Sequence, residues 1–593
     1  MRHRIKVFAV LLLLVIALGA GVFLSGYLTL LLLGLRDAPL HWNSYWEYAR
    51  ALNLRQVAPY AFRIKVSGVI GFGLPIVLWL PALIPLLKRK ARSIHGDARF
   101  ARRADLARAG LFKDDPYALI LGKFGNELIR LSGQQHVLLC APTRSGKTVG
   151  VAIPNLLYYQ GSVVALDIKG ELHDKTSAWR QQQGQDIFVF APLAENGRTH
   201  CFNPLQCISP NPGLRVNQLQ SIAAILFPED PHKDPFWTHA ARSAFFGFAM
   251  FMFDAWDDLA SKGMRLDPNV SPQFPSFERI YRLSSSDGRD MKAHLHELIK
   301  APFLSSEART ALANLVSQAE QTLSSIMASM HEPLHAFLNP VLAAATNASD
   351  FDVTWLRKKK ISIYVVISPD KLGEARKILN IFFSMVIGQN VKELPGENKA
   401  IRHPCLLLMD EFTSIGRIDI LASSISHTAG YWMRSLPIIQ SQSQLDATYG
   451  AEVAQTFKTN HAGSIVFAPR EQRDAEDYAK LLGNTTVHRK NRTFSKGGGA
   501  GSSVSYAEVQ ERRPLMLPQE LKALGNDLQL VFYEGVPHAI KCRKIVYYKD
   551  AFFKRRLLGK VAIPLLKLDD QRPRAVKVTL SDDEAALRAL AQG

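Results

Sequence analysis

The segment CAPTRSGKTVG, at residues 140–150, has residue types and a spacing that suit the binding of a phosphate group. It matches the pattern GxxxxGK[ST] except at the first position, where Ala141 stands in place of glycine. An apolar run precedes the segment and a helical pattern follows it, so backbone N–H groups at the helix start can surround a phosphate. The sequence therefore predicts a nucleotide-phosphate loop made of Thr143, Arg144, Ser145, Gly146, Lys147 and Thr148.

Two side chains of this loop are expected to act directly on a nucleotide, predicted to be ATP with Mg²⁺. Lys147 is predicted to reach the β- and γ-phosphate oxygens, and the Thr148 hydroxyl is predicted to bind Mg²⁺. Ala141 is compatible with the loop if its φ stays negative, because positive φ strains any residue except glycine. Pro154 lies in the following helical pattern and predicts a kink there.

Two adjacent carboxylates, Asp410 and Glu411, follow the apolar run CLLLM. A phosphate-loop ATPase needs a carboxylate near the metal ion and a group that orients the attacking water. We predict that Asp410 binds Mg²⁺ through water and that Glu411 polarises the attacking water. Gln440 ends a later apolar run, and it either acts on the γ-phosphate or the attacking water or is an ordinary polar residue at a strand end.

A further catalytic group is expected from a neighbouring subunit. Motors of this kind place an arginine from the adjacent subunit on the γ-phosphate. Arg434 and Arg417 both follow Asp410 in segments that we interpret as loops near the edge of the sheet. Each is either this arginine or a plain surface residue.

The elements that must position these residues are visible as short apolar runs. Such runs are typical of strands buried on both faces of a parallel sheet, and helical patterns between several of them indicate a doubly wound α/β domain. Eight runs have this character: residues 136–141, 162–167, 187–192, 361–368, 405–410, 435–440, 464–469 and 528–534.

The order of these patterns divides the chain. Residues 91–204 and 356–560 are predicted to form the nucleotide-binding domain, and the mainly helical residues 205–355 an all-α subdomain inserted into it. Residues 494–503, FSKGGGAGSS, are predicted to be a flexible loop. The C-terminal tail, residues 561–593, has no assigned structure.

The N-terminal residues 1–90 predict a membrane anchor with two transmembrane helices. Residues 7–35 and 66–87 are uncharged and long enough to cross a bilayer, which takes about 20 apolar helical residues. The first run is also much longer than the apolar part of a signal peptide. The basic segments MRHRIK and KRKAR flank the pair and, with the phosphate loop, place both ends in the cytoplasm.

Three other patterns are considered and set aside. HEPLH at residues 331–335 fits a zinc-binding motif, but Pro333 breaks the helix that the motif requires. LSGQQ at residues 131–135 precedes the phosphate loop, whereas a transporter signature of this type follows it. The five cysteines contain no CxxC pair and predict neither a disulfide framework nor a zinc site.

A series of segments in this order resembles one known family. They are HGDARFA, ILGK, HVLLCAPTRSGKTVGVAIPNLL, GSVVALDIKGEL, FNPL, DPFW, NASDFDVTWLRKKKISIYVV, LLLMDEFTSIGRI and IIQSQSQL. Over roughly residues 1–550 the chain resembles the type IV secretion coupling proteins, the TraG-like conjugation ATPases. The combination of DIKGE, DEF with a following GR, and QSQSQL makes the resemblance specific.

The resemblance implies a multi-pass ATPase of the bacterial inner membrane. It implies a RecA-like, hexameric motor with its all-α domain facing the cytosol, which brings a relaxase–DNA complex or protein effectors to a type IV secretion channel. Asp167, Lys169 and Glu171 match the DxKGE stretch of the family. They either support the nucleotide site or subunit contacts, or have a structural role.

Several alternatives stay open. The chain is alternatively a coupling ATPase for protein effectors only, an FtsK-like DNA translocase, or a scaffold that uses ATP only to assemble. About 34 residues follow position 560, too few for the winged-helix domain of FtsK-like proteins. A basic segment either follows a DNA backbone or is a solvated loop; its cations are His488, Arg489, Lys490, Arg492 and Lys496.

Overall fold

A computed structural model describes residues 2–35, 37–83, 94–230, 232, 234–264, 267–269, 271, 274–496 and 502–566. The chain divides into two compact units, Met1–Ile94 and His95–Gly593. Each unit has its own internal packing and is described separately.

The first unit consists mainly of two long apolar helices. Its α-helices are Arg2–Leu33, Ser44–Arg50 and Ala61–Trp79, and the last continues into a short 3₁₀ turn, Leu80–Leu83. Two stretches of 26 residues, Phe8–Leu33 and Ala58–Leu83, are long and apolar enough to cross a membrane, as predicted. The second stretch begins at Ala58, before the predicted residue 66, and therefore includes Arg63 and Lys65. Residues 84–87 and the basic segment KRKAR lie outside the described residues.

Small and hydroxyl-bearing residues form the contact between the two long helices. Thr29 Oγ1 and Ser67 Oγ are 2.6 Å apart and hydrogen-bonded. Gly71 lies so close to Ser25 that an added Cβ would be 2.4 Å from the Ser25 Cα. Small residues and buried hydroxyl pairs allow the close backbone approach by which helices associate in a membrane.

The second unit is built on an eleven-stranded mixed sheet with the order β2-β1-β13-β12-β9-β3-β8-β7-β4-β6-β5. The seven strands from β9 to β5 are parallel, and the four at the other edge are antiparallel. The strands are β1 Leu119–Phe124, β2 Glu127–Leu131, β3 Val137–Cys140, β4 Ser162–Asp167, β5 Asp186–Phe190, β6 Ile361–Val366, β7 Cys405–Met409, β8 Met433–Ile439, β9 Gly463–Val466, β12 Leu528–Tyr533 and β13 Ile540–Arg543.

Helices cover both faces of this sheet, so the doubly wound α/β class is confirmed. All eight predicted runs are strands, although the last, β12, is antiparallel to β9. The helices outside the long helical segment are Arg103–Arg108, Ile153–Tyr158, Glu171–Gln182, Leu372–Asn390, Asp419–Thr428, Gln442–Tyr449, Ala451–Thr459, Gln472–Leu482, Pro518–Lys522 and Ala551–Lys554.

Between β5 and β6 the described residues form helices and no strand. The helices are Pro212–Leu226, Pro235–Ser261, Phe277–Ser284, Met291–Ile299, Ser306–Val316, Glu320–Leu334 and Pro340–Thr346. Their apolar side chains share one buried cluster with one face of the sheet. The ring of Phe382, in the helix Leu372–Asn390, contacts both Phe190 of β5 and Phe202, which precedes the helical region. This contact connects the sheet to the start of the helical region.

A second, two-stranded sheet includes both ends of the predicted flexible loop, residues 494–496 and 502–503. Strands β10, Asn484–Lys496, and β11, Ser502–Pro514, pair along their full length. The basic segment at 488–496 is therefore a strand and not a flexible segment, while residues 497–501 lie outside the described residues. Of the C-terminal tail, residues 561–566 contact the helix Glu171–Gln182 and the loop at Gly197, and residues 567–593 lie outside the described residues.

Candidate nucleotide-binding site

The predicted phosphate loop lies at the carboxyl end of β3 and turns sharply before the next helix. The Ser145 N–H donates to the Pro142 carbonyl at 3.2 Å, and both Arg144 (φ 58°) and Gly146 (φ 85°) have left-handed backbone conformations. A Cβ added to Gly146 would have no atom within 4 Å, so this side of the loop is open. Ala141 is not among the described residues with positive φ, which explains why alanine is accepted there.

The helix after the loop is irregular at its start. Thr148–Ala152 form a π-helical turn, and the α-helix proper is Ile153–Tyr158, with Pro154 in its first turn. Pro154 has no N–H and cannot follow a regular α-turn without loss of a hydrogen bond. The predicted kink thus takes the form of a widened turn, which places Pro154 where a missing N–H does little harm.

Lys147 is held by the two predicted carboxylates. Its Nζ lies 3.1 Å from Asp410 Oδ1 and 3.0 Å from Glu411 Oε1, and its side chain is nearly buried. Asp410 follows β7 directly, and its Oδ2 accepts a 3.4 Å hydrogen bond from the Thr148 hydroxyl. The two segments, 262 residues apart in sequence, thus meet as predicted.

These side chains fit a magnesium ion and a phosphate. Asp410 Oδ1 is buried and accepts no hydrogen bond from the described residues, despite the nearby ammonium group. A carboxylate beside a threonine hydroxyl, with one oxygen paired only to the Lys147 ammonium group, supplies oxygen ligands of the kind that Mg²⁺ prefers. Lys147 and the open side of Gly146 supply the charge and space that a phosphate requires.

Glu411 has a strained backbone. Its φ of 53° and ψ of 47° lie in the left-handed region, which is uncommon for any residue other than glycine. Its carbonyl oxygen accepts hydrogen bonds from the Ser414 N–H and hydroxyl, which stabilise the turn. Strained residues of this type cluster at functional sites because the surrounding structure must maintain them.

The strand order brings Gln440 between the two halves of the site. β8 lies between β3 and β7, and Gln440 follows β8 directly. Its backbone N–H donates to Gln444 Oε1 at 3.3 Å, and the residue is half-buried. Gln440 therefore lies between the phosphate loop after β3 and Asp410 after β7. Its catalytic role stays a prediction.

The prediction that Arg434 lies on a loop is wrong. Arg434 is in β8, its side chain is fully buried, and it donates to the carbonyls of Gln135, Tyr117 and Leu131 at 2.6, 3.1 and 3.0 Å. Burial lowers the pKa of Arg434 to about 10. A guanidinium held inside the sheet in this way cannot contact the nucleotide of a neighbouring subunit.

Arg417 does lie on a loop. It follows the 3₁₀ turn Phe412–Ile415 and Gly416, and its side chain is 49% exposed. Its Nε is 2.5 Å from Asp419 Oδ1, and one terminal nitrogen donates to the Tyr449 carbonyl at 3.4 Å. Of the two candidate arginines, only Arg417 has a side chain that another subunit can reach.

The DIKGE segment follows β4, the strand next to β7. Asp167 is buried, and its carboxylate accepts hydrogen bonds from the backbone N–H groups of Lys169 and His173. Burial, assisted by the negative charge of Asp410, raises the pKa of Asp167 to about 7. Lys169 is exposed and Glu171 half-buried, and their roles stay predictions.

Two cations beside the phosphate loop escaped the sequence analysis. Arg470 follows β9 and donates to Thr143 Oγ1 at 3.3 Å, while Lys544 follows β13 and donates to the Ser145 carbonyl at 3.2 Å. Burial lowers the pKa of Lys544 to about 8. Neither residue lies in a motif; Arg470 follows the apolar run at residues 464–469, whereas no apolar run precedes Lys544.

The HEPLH histidines have ordinary partners in the helical region. The helix containing His331 ends at Leu334, and His335 lies in the 3₁₀ turn that follows. The Nε2 of His331 is hydrogen-bonded to Ser284 Oγ at 2.8 Å, and its ring packs on Tyr281.

These features define the P-loop class of nucleotide-binding proteins: a phosphate loop after β3, two carboxylates after β7, and a parallel sheet that contains both strands. The sequence model described as "Type IV secretory system Conjugative DNA transfer" matches residues 91–565. Because this match covers most of the chain, the chain belongs to that family, which confirms the resemblance stated above.

Curated relatives agree with this family. Protein VirD4 from Rhizobium rhizogenes is 30% identical over 492 residues, which are 81% of this chain and 69% of that protein. Conjugal transfer protein TraG from Escherichia coli is 26% identical over 590 residues, which are 91% of this chain and 88% of that protein.

Solved structures share the fold. The plasmid coupling protein TrwB in complex with the ATP analogue ADPNP has a TM-score of 0.53 and 17% identity, and covers 77% of this chain and 95% of its own. TrwB in complex with ADP and Mg²⁺ has a TM-score of 0.53 and 16% identity, and covers 77% and 96%. The RecA-like fold class is confirmed by this likeness.

Proposed function

We propose that this chain is a membrane-anchored ATPase that couples a DNA substrate to a type IV secretion channel and drives its transfer. The observation that carries the proposal is that Lys147 and Thr148 meet Asp410 and Glu411 at the carboxyl ends of the parallel strands. The chain belongs to the conjugative DNA transfer family, which supports the same function. That the related TrwB was solved with ADPNP, and with ADP and Mg²⁺, supports ATP and Mg²⁺ as its ligands.

Each group has a defined task in hydrolysis. Lys147 leaves its two carboxylate partners and binds the β- and γ-phosphate oxygens, while backbone N–H groups of residues 143–148 surround the phosphates. Thr148, and Asp410 through water, would hold Mg²⁺, which would neutralise charge on the phosphate oxygens. The release of Lys147 also frees Glu411, whose carboxylate then orients the attacking water.

The proposal extends to the membrane, the oligomer and the substrate. The two apolar helices anchor the chain in the bacterial inner membrane, with the second unit in the cytoplasm. Six copies form a ring in which Arg417 of each subunit contacts the nucleotide of the next. The ring receives a relaxase–DNA complex, or protein effectors, and delivers it to the channel.

Hydrolysis and nucleotide binding can be separated with three variants of the purified full chain. Glu411→Gln keeps the shape of the side chain but loses its charge, so we expect ATP binding close to wild type and turnover lowered by about 10²-fold or more. Lys147→Ala removes the cation that holds the phosphates, so we expect binding itself to fail. Glu452→Gln, on an exposed helix position, is the control and should behave as wild type. Equal turnover in Glu411→Gln and wild type contradicts the proposal.

A further inference from the structure

Lys544 contacts the phosphate loop from a distant part of the sequence. It follows β13, which lies between β1 and β12 and does not neighbour β3 in the sheet. A Cβ added to Gly150, in the first turn after the loop, would lie 3.5 Å from the Ile545 carbonyl oxygen and 3.9 Å from the Lys544 Cβ. The segment after β13 therefore packs directly against the start of the phosphate-loop helix.

The Lys544 side chain is fixed in this position. Its Nζ donates to the Ser145 carbonyl oxygen at 3.2 Å and lies 3.7 Å from the centre of the Phe467 ring. Phe467 is fully buried, and its backbone N–H donates to the Cys140 carbonyl at the end of β3. An ammonium group held by both a carbonyl and an aromatic face has one preferred location.

The carbonyl that Lys544 holds belongs to a functional peptide unit. The Ser145 C=O and the Gly146 N–H lie in one planar trans peptide and point in opposite directions. A cation that holds the C=O therefore turns the Gly146 N–H away from Lys544. The hydrogen bond from a charged donor to the C=O also polarises the peptide, which makes its N–H a stronger donor.

We propose that Lys544 is a positioning residue for nucleotide binding: by its hydrogen bond to the Ser145 carbonyl it aims the Gly146 N–H at the bound phosphate. This inference rests on the proposed function, because it concerns the same phosphate loop. Lys544 acts through the backbone of the loop and does not itself contact the reacting atoms.

The test measures nucleotide affinity and turnover separately in the full chain. Lys544→Met keeps most of the aliphatic stem and loses the ammonium group, so we expect the Kd for a fluorescent ATP analogue and the KM for ATP to rise about tenfold, since this is the usual loss for a charged hydrogen bond. The kcat at saturating ATP should stay within about twofold, because Lys147 and Glu411 are unchanged. Lys544→Arg retains the charge and donors and should restore most of the affinity.

Controls separate this inference from the proposed function. Lys549→Met, at an exposed position five residues later, should bind as wild type. If Lys147→Ala loses binding but Lys544→Met does not, the inference on Lys544 is wrong while the phosphate-loop function stands. If neither variant loses binding, the proposed function itself is wrong.

The fold of the variants is monitored by thermal melting. If Lys544→Met does not fold, Lys544→Gln, which is polar and uncharged, takes its place with the same expected loss of affinity. A fall in kcat at unchanged KM, or a loss of affinity that Lys544→Arg fails to restore, overturns the proposal.

Discussion

Lys147 makes ion pairs with Asp410 and Glu411, so the three charges hold one another in place at the end of the sheet. Nucleotide phosphates must compete with both carboxylates for the ammonium group. Binding and the release of Glu411 are thereby a single event, because Lys147 cannot hold the phosphates and keep both carboxylate contacts. If Glu411 orients the attacking water, as we propose, it is free to do so only when nucleotide is bound.

The motif residues of the site were predictable from the sequence, and the supporting cations were not. The loop that contains Lys147 and Thr148 follows β3, and Asp410 and Glu411 follow β7, so the parallel order of the strands brings them together. The prediction for Arg434 is wrong because β8 begins at Met433, two residues before the apolar run at residues 435–440. Lys544 was missed because its contact depends on β13, which no sequence pattern indicates.

Arg434 and Arg417 are expected to differ sharply when substituted. Arg434→Leu removes the donor from the buried Leu131 carbonyl and from two partly buried carbonyls, and each unsatisfied buried group costs about 1–3 kcal/mol. We expect this variant to lose at least about 3 kcal/mol of unfolding free energy, measured by urea denaturation. Arg417→Ala should retain wild-type stability because its side chain is half-exposed. A stable Arg434→Leu contradicts the structural role.

Arg417→Ala should instead slow ATP turnover in the assembled oligomer. An arginine supplied in trans contributes about 10³-fold or more to phosphoryl transfer in related systems. Turnover measured against protein concentration is therefore expected to rise with assembly in wild type and to stay low in Arg417→Ala. Equal curves for both proteins rule out this residue as the trans-acting arginine.

At the scale of elements, the central sheet was predictable and its edge was not. The seven parallel strands are buried on both faces and appear as continuous apolar runs. β1, β2 and β13 lie at the antiparallel edge and include charged residues such as Lys123, Glu127, Arg130 and Lys541, which weakens the pattern. Strands β10 and β11 consist mainly of polar and charged residues, so they contain no apolar run that would predict a strand.

Two buried histidines at the amino ends of β3 and β9 predict a pH-dependent stability. The rings of His136 and His461 are 5.6 Å apart, and burial lowers their pKa values to about 4 and about 3. Below an unfolded pKa of about 6.5 the unfolded chain binds protons that the folded chain excludes. The stability that these two histidines contribute is therefore full above pH 6.5 and falls as the pH decreases toward 4, by up to about 1.4 kcal/mol per pH unit for each histidine.

The measurement is the urea midpoint of the full chain at pH 7.5, 6.5 and 5.5. His461→Gln removes one of the two groups and should roughly halve the dependence on pH. His427→Gln, at an exposed position, is the control and should leave the slope unchanged. Parallel slopes for wild type and His461→Gln contradict the assignment.

The apolar helix pair of the first unit predicts a sharp difference between two glycines. A Cβ at Gly71 would lie 2.4 Å from the Ser25 Cα, whereas one at Gly73 would have no atom within 4 Å. Gly71→Leu should therefore separate the helices, and Gly73→Leu should not. Residues 21 and 72 are in contact across the helix pair, so cysteines placed there should form a disulfide when the helices pack. The yield of this disulfide in membranes under mild oxidation measures the packing. Equal yields in both variants show that the helices do not pack through Gly71.

At the scale of the molecule, the nucleotide site and the apolar helices belong to separate compact units. Every residue of the proposed site lies after position 95, in a unit with its own extensive core. A chain that lacks residues 1–94 should therefore fold and bind ATP as tightly as the full chain, while DNA transfer in cells should be lost. Retained transfer by this chain means that the membrane helices are dispensable.

The central claim is that ATP hydrolysis at Glu411 drives DNA transfer, and one experiment tests it directly. Donor cells with the native gene deleted receive wild type, Glu411→Gln or the control Glu452→Gln at matched levels, and the frequency of DNA transfer to recipient cells is counted. We predict wild-type frequency for Glu452→Gln and loss of transfer for Glu411→Gln. The reason is that Glu411→Gln should bind ATP but hydrolyse it at about 10⁻² of the normal rate or less. Transfer by Glu411→Gln at the wild-type frequency contradicts the claim.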